Sequence, residues 1–317
     1  MKLEDIHHVG VLGTGMIGPD VTLLCAMNGY RVIMIGRSPE SVERGRRRFE
    51  KNLRALIEQG IYNDAEGKEI LSRIETGTSL PKGVASADMI IEAIAEDLGA
   101  KQDIFVQVEK YCPSHAVFAS STSGLSPNGI GAKIRRKDRM LVAHFWNPPY
   151  LVPLVELVAG EETSKETIDL ILSFLRKMDK EPVLLRKDIA GHIGNRIQHA
   201  IFREAIHLVQ EGVAEPEEID AVIMSSLGPR YSMIGPMEYM DSVGINLQVA
   251  IQSYLFKSLD ASKKPQKLVM DLYNRGDLGA KTGKGFYDWS KRSLDEMTAR
   301  QNKRFIDRMK ERRLKRK

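Results

Sequence analysis

Two ionisable residues twelve positions apart, His144 and Glu156, lie in the most apolar part of the chain. His144 ends the run Val142-Ala143-His144, and Glu156 sits among Leu154, Val155, Leu157 and Val158, beyond the turn Trp146-Asn147-Pro148-Pro149-Tyr150. Both runs have the length and composition of strands, and the prolines stiffen the connection between them. A carboxylate in an apolar strand is costly unless something pairs with it, because burial disfavours its charged form. Strands that double back on one another would supply the His144 imidazole. The pair is then a general base whose tautomer and orientation are fixed by an acid.

A second constellation binds rather than reacts. Gly13-Thr14-Gly15-Met16-Ile17-Gly18 follows an apolar strand from His7 to Leu12 and opens a helix that ends at Asn28-Gly29. In that context the glycine spacing is a dinucleotide signature. Gly13 permits the tight turn, Gly15 lets backbone approach a pyrophosphate, and Gly18 allows the helix to pack closely on the strand. Met16 and Ile17 complete the candidate cofactor-binding turn, and the phosphates belong on the helix N-terminus.

The next strand, Arg31 to Ile35, ends in Gly36-Arg37-Ser38, where an acidic residue would hold both ribose hydroxyls of NAD. A small residue leaves room for a 2′-phosphate, and the Arg37 guanidinium and Ser38 hydroxyl can bind one. The expected cofactor is therefore NAD(P), with NADP(H) favoured over NAD(H); the alternative is that Arg37 only stacks on adenine.

Hydroxyls in Ser120-Ser121-Thr122-Ser123-Gly124-Leu125 follow a further strand at the edge where open α/β sheets bind ligands, and Ser123 could hold a substrate oxygen there. Asn195, in Gly191-His192-Ile193-Gly194-Asn195-Arg196, could donate to a developing alkoxide. As bare strings these are also an ordinary turn and an ordinary helix start.

The elements that must position these groups alternate as α/β. The expectation is a Rossmann-type, doubly wound, mostly parallel sheet over residues 1–187. Helices alone follow over 188–289, with spans at Ile193–Gln210, Pro216–Met224, Pro236–Phe256 and Pro265–Tyr273, as a substrate and dimerisation domain. A basic helical tail occupies 290–317.

With 317 residues, 42% hydrophobic and 28% charged, the chain can bury a sizeable core. It contains no apolar run of membrane-spanning length and no signal-peptide layout, so a cytoplasmic enzyme is expected. The net charge of +5 is local: residues 289–317 carry twelve Lys or Arg against four Asp or Glu, a net of +8, leaving −3 for the rest. Neither a nucleic-acid nor a membrane partner is expected. Cys25 and Cys112 lack metal-ligand spacing and are read as buried thiols; no metal site is expected.

These motifs occur together in the order of the 3-hydroxyacyl-CoA dehydrogenase family, which the chain resembles from about His8 to Trp289. The resemblance rests on GTGMIG, SSTSGL, HFWNP, GHIGNR, IGPMEYMD and KTGKGFYDW. It implies that His144 is the base when a 3-hydroxyl is oxidised, that Glu156 stabilises its imidazolium, and that Ser123 and Asn195 hold the reacting oxygen and the histidine. It also places Glu96, Lys101, Asn147 and Lys281 at the cofactor, and it implies a homodimer through the helical domain.

A short-chain L-3-hydroxyacyl-CoA such as 3-hydroxybutyryl-CoA is the implied substrate. There are departures, however. Asn52 and Gln59 stand where the family's coenzyme-A contacts are a serine and a lysine. Other segments are similar to a branch acting on free hydroxy acids, which includes gulonate 3-dehydrogenase (lambda-crystallin) and carnitine dehydrogenase. Arg230 would there be a carboxylate clamp. A non-catalytic, crystallin-like dinucleotide binder is the alternative of another class.

Overall fold

In the computed structural model, which describes residues 1–315, the alternating segments build an eight-stranded sheet. Its strands are β1 (His8–Leu12), β2 (Arg31–Ile35), β3 (Ile74–Gly77), β4 (Met89–Glu92), β5 (Val117–Ser120), β6 (Met140–Phe145), β7 (Leu154–Ala159) and β8 (Glu181–Leu185). They lie in the order β3-β2-β1-β4-β5-β6-β7-β8. The order reverses between β1 and β4, so the loops after these strands open a crevice at the carboxyl edge. All pairings are parallel except β6 with β7.

Helices cover both faces. They are α1 (Gly18–Met27), α2 (Pro39–Glu58), α3 (Asp64–Ser72), α4 (Leu80–Val84), α5 (Leu98–Tyr111), α6 (Pro127–Ile130) and α7 (Lys165–Lys177). One core layer joins Val9, Val11, Met89, Leu141 and Leu157 to Leu24, Phe49, Leu53 and Phe174. The other joins Ile90, Phe118, Val142 and Val158 to Phe105 and Val108. Because both faces are covered, the central strands read as continuous apolar runs rather than as alternating ones.

The chain then continues through α8 (Gly194–Gln210), α9 (Pro216–Val222), α10 (Gly228–Tyr231), α11 (Pro236–Val243), α12 (Ile245–Leu255), α13 (Lys267–Arg275) and α14 (Leu294–Lys315). Two compact units result: Met1–Asn195 with the chain from Arg300 onward, and Arg196–Ala299. The second unit is helical, and none of its residues is buried. From Arg300, α14 lies on the first unit, where Ile306 is buried and Phe305 and Met309 pack against the core. The last two residues of the tail, 316 and 317, lie outside the described residues.

β3 is an edge strand whose Glu75 and Thr76 are exposed and so leave no apolar pattern to detect. Two local expectations change. The helix expected over 236–256 is two helices, broken at Gly244 with φ +104. Cys25 is buried, but Cys112 is only half-buried and accepts a hydrogen bond from Arg136.

Candidate active site

β6 and β7 are antiparallel neighbours, and their register sets His144 directly opposite Glu156. The twelve-residue interval is thus a hairpin distance. The His144 Nδ1 to Glu156 Oε2 separation is 3.0 Å, and Trp146 Nε1 donates to the same oxygen at 3.0 Å. The other carboxylate oxygen accepts from the backbone amides of Ile193 and Gly194, both at 2.9 Å, at the start of α8. Burial pushes the Glu156 carboxyl up, but these four partners outweigh it and hold it down to about 2. It is therefore an anion at neutral pH. With Nδ1 engaged, Nε2 is the ring nitrogen of His144 left for chemistry.

The hydroxyl loop after β5 is built on another carboxylate. Glu96 Oε1 accepts from Thr122 Oγ1 at 2.5 Å, Ser123 N at 2.9 Å and Ser123 Oγ at 3.1 Å. Burial opposes ionisation of Glu96, but these bonds and Lys101 prevail and lower its pKa. Lys101 Nζ lies 2.7 Å from Glu92 and 3.4 Å from Glu96, and it is itself fully buried. Glu92 also accepts from Ile94 N at 2.7 Å and Ser120 Oγ at 2.5 Å. A buried charge cluster thus ties the loop after β4 to the end of β5. Asn195 Nδ2 donates to Ser123 O at 3.3 Å, which joins the start of α8 to the same loop.

The glycine turn has the shape its pattern implies. Gly13 has φ +113, and a Cβ on it would meet Ala93 O at 2.3 Å, while one on Gly18 would meet Gly13 O at 2.0 Å. Around Gly15 there is open space. Backbone there is free to approach a pyrophosphate at the N-terminus of α1, so these residues fit a dinucleotide. At the end of β2, a Cβ on Gly36 would stand 2.7 Å from Ser41 Oγ and 2.8 Å from Thr14 Cγ2, so an acidic side chain does not fit without a shift. Arg37 is exposed, and the Ser38 hydroxyl caps α2 by accepting from Ser41 N at 3.3 Å.

Family models match nearly the whole chain. The NAD binding domain of 3-hydroxyacyl-CoA dehydrogenase matches residues 8–189 and the C-terminal domain of the same enzyme matches 191–289. The chain belongs to the 3-hydroxyacyl-CoA dehydrogenase family. It is 35% identical over 290 residues to a probable 3-hydroxybutyryl-CoA dehydrogenase of Bacillus subtilis, covering 91% of this chain and 99% of that one. It is 37% identical over 236 residues to an L-carnitine dehydrogenase of Bacillus cereus, covering 74% and 71%. Among solved structures it resembles a 5-formyl-3-hydroxy-2-methylpyridine 4-carboxylic acid 5-dehydrogenase, described as an NAD+-dependent dismutase. The TM-score is 0.86 at 26% identity, covering 95% of this chain and 97% of that one.

As a 3-hydroxyacyl-CoA dehydrogenase-type oxidoreductase with an NAD-binding Rossmann domain, the chain gathers most of its candidate residues in the first unit. His144 and Glu156 meet, as do Ser123, Asn195 and Glu96. Asn147 is exposed beside the pair, at a cis peptide bond to Pro148. Lys281 and Arg230 belong to the second unit: Lys281 is exposed, and the Arg230 guanidinium stacks 4.4 Å over the Tyr239 ring. Two contributors escaped sequence reasoning. Trp146 stands two residues from His144, and Glu92 closes an apolar strand as Glu156 interrupts one, so the signal used for Glu156 applied to Glu92 as well. No described helix is long and apolar enough to cross a membrane.

Proposed function

We propose that the protein oxidises the C3 hydroxyl of a short-chain L-3-hydroxyacyl-CoA, such as 3-hydroxybutyryl-CoA, with His144 as general base. The observation that carries this reading is the anchoring of Glu156 by four donors, which fixes an anion against His144 Nδ1. His144 Nε2 takes the hydroxyl proton, and the adjacent carboxylate stabilises the imidazolium that forms, a contribution on the order of 100- to 10,000-fold in rate. Ser123 and Asn195 hold the reacting oxygen. The nicotinamide cofactor, when bound, supplies the hydride acceptor. Glu96 and Lys101 order the loop that faces it, and Asn147 and Lys281 are further cofactor contacts. Exposed Arg44, Lys51 and Arg54 on α2 give a coenzyme-A phosphate a cationic surface.

NADP(H) is the favoured cofactor. At Gly36 the carboxylate side chain that would select NAD fits only with a shift of Ser41, Thr14 and Val42, and Arg37 is exposed beside the N-terminus of α2, where a 2′-phosphate is stabilised by charge. The working form is a homodimer in the cytoplasm. A helical unit with no buried residue and with Phe202, Met237, Tyr254 and Phe256 exposed supports a second copy as its missing core.

A second substrate reading is a free 3-hydroxy acid, gulonate- or carnitine-like. It is favoured by Asn52, whose amide is spent on buried Asp20 at 2.8 Å beside the bidentate Arg48, and by the likeness to a dehydrogenase of a free pyridine carboxylate. Arg230 would then bind the carboxylate. Steady-state assays of 3-hydroxybutyryl-CoA, gulonate and carnitine, each with NAD and NADP, separate the readings. The His144→Gln variant should lose turnover and keep cofactor binding. Turnover of none of these compounds, or wild-type activity in that variant, overturns the proposal.

A further inference from the structure

The loop that joins the two strands of the dyad, residues 146–153, is held from behind by a lysine. Lys180 follows α7 in the turn Met178-Asp179-Lys180-Glu181, and its side chain is buried. Its Nζ donates to Val152 O at 2.9 Å and also to Pro149 O. Pro148, Pro149, Tyr150 and Leu151 are all buried, and Tyr150 and Leu151 line a cavity of about 360 Å³ together with Lys180, Phe305, Met309 and Arg312. An ammonium group is costly in such a place, and burial pushes Lys180 down to about 7 despite nearby Asp179. An apolar residue would fill the same volume at less cost, but only a donor can tie two carbonyls of one loop together.

The turn that carries Lys180 is itself clamped by α14. Arg312 donates to Glu181 at 2.5 Å and to Asp179 O at 3.1 Å, and its Nη1 lies 3.3 Å from the Asp179 carboxylate. Arg308 also pairs with Glu181. Glu181 N donates to Pro153 O at 2.8 Å, at the far end of the loop. A continuous set of contacts therefore runs from α14 through the turn and Lys180 to the loop, where Trp146 donates to Glu156. The clamping residues lie after 289, beyond the residues matched by the family models.

We propose that Lys180 is a positioning residue for the His144–Glu156 dyad and that the C-terminal helix is the brace that keeps it in place. This rests on the dyad reading given above. Lys180 touches neither reacting atom. It sets the path of the loop, hence the position of Trp146 and the pairing of β6 with β7.

The test uses the full-length enzyme with Trp289→Phe, which leaves Trp146 as the single tryptophan of the two in the chain. Lys180→Met should lower kcat about 10- to 100-fold, because small misplacements of a catalytic group are costly. Cofactor Kd should stay within about twofold, as the glycine turn is untouched, and Trp146 emission should shift to the red. The Arg308→Gln/Arg312→Gln pair should give the same changes in weaker form, with kcat falling about 3- to 10-fold. Unchanged kcat with unchanged emission in Lys180→Met overturns the proposal, as does a loss of cofactor affinity equal to the loss of kcat, which would mean general loosening. If Lys180→Met does not fold, the arginine pair decides by the same criteria. An active His144→Gln variant removes the dyad reading and the proposal with it, whereas an inactive one beside a fully active Lys180→Met removes the positioning role alone.

Discussion

The indole of Trp146 occupies the place where a side chain on Gly194 would begin: a Cβ there would lie 2.3 Å from Trp146 Cζ2. Gly194 is the first residue of α8, and its amide is one of the two that bind Glu156. The contact locks the dyad loop against the helix start, so the helix can approach the carboxylate only with glycine at this position.

Gly194→Ala should therefore push α8 away from Glu156 and remove one or both amide donors. A buried carboxylate deprived of a donor costs about 1–3 kcal/mol. The expected result is a loss of unfolding free energy of that size, read as a lower denaturant midpoint, together with a fall in kcat/KM. Chemical denaturation and steady-state kinetics measure both; an unaffected kcat/KM would show that the approach does not matter.

Acid should destabilise the enzyme through Glu156. Its folded pKa of about 2 lies below the 4.5 of the unfolded chain, so between these values the unfolded state binds more protons. The contribution is complete above about pH 4.5 and is lost as pH falls towards 2, with a size on the order of 3 kcal/mol for this nearly inaccessible side chain. Urea titrations from pH 5 downward should show a steeper loss for wild type than for Glu156→Gln. Parallel curves for the two proteins would refute the assignment.

Lys180 gives a linkage of the same sign in the alkaline range. Burial, with Arg312 adding to it and Asp179 and Cys25 opposing it, depresses Lys180 from 10.5 to about 7. Between these values the unfolded state again holds the extra proton, so stability rises with pH from about 7 towards 10.5, and the penalty is full below 7. A neutral amine still has two hydrogens for its two carbonyls. Thermal melts at about pH 7 and about pH 10 should show wild type gaining on Lys180→Met as pH rises; a constant difference in Tm would place the lysine outside this linkage.

Cofactor choice should turn on Arg37. Removing its guanidinium by Arg37→Ala deletes a charge-assisted contact worth roughly 1.5–3 kcal/mol. KM for NADP should rise about 10-fold or more, while KM for NAD changes little. Equal effects on the two cofactors would return Arg37 to a stacking role on adenine.

Much of this was legible in the sequence because local rules fix it. A glycine spacing after an apolar strand has one economical geometry, and a carboxylate inside an apolar strand demands a partner within hairpin reach. Glu92 could have been found on the same grounds. β3 could not, because an edge strand with exposed Glu75 and Thr76 carries no alternation. The break at Gly244 was equally hidden, since a glycine inside an apolar helical run does not announce a positive φ.

The sequence by itself determined the residue types and their spacing: the βαβ start, His144 and Glu156 in their apolar runs, and the hydroxyl loop. These depend on chain-local chemistry, in which each residue is constrained by neighbours a few positions away. The tertiary structure alone decided that the amides of Ile193 and Gly194 complete the Glu156 cage, that Lys101 is buried between Glu92 and Glu96, and that the basic tail clamps the turn at Lys180. Those contacts join residues up to 133 positions apart, and only the packing of the sheet with its helices brings such groups within hydrogen-bonding distance.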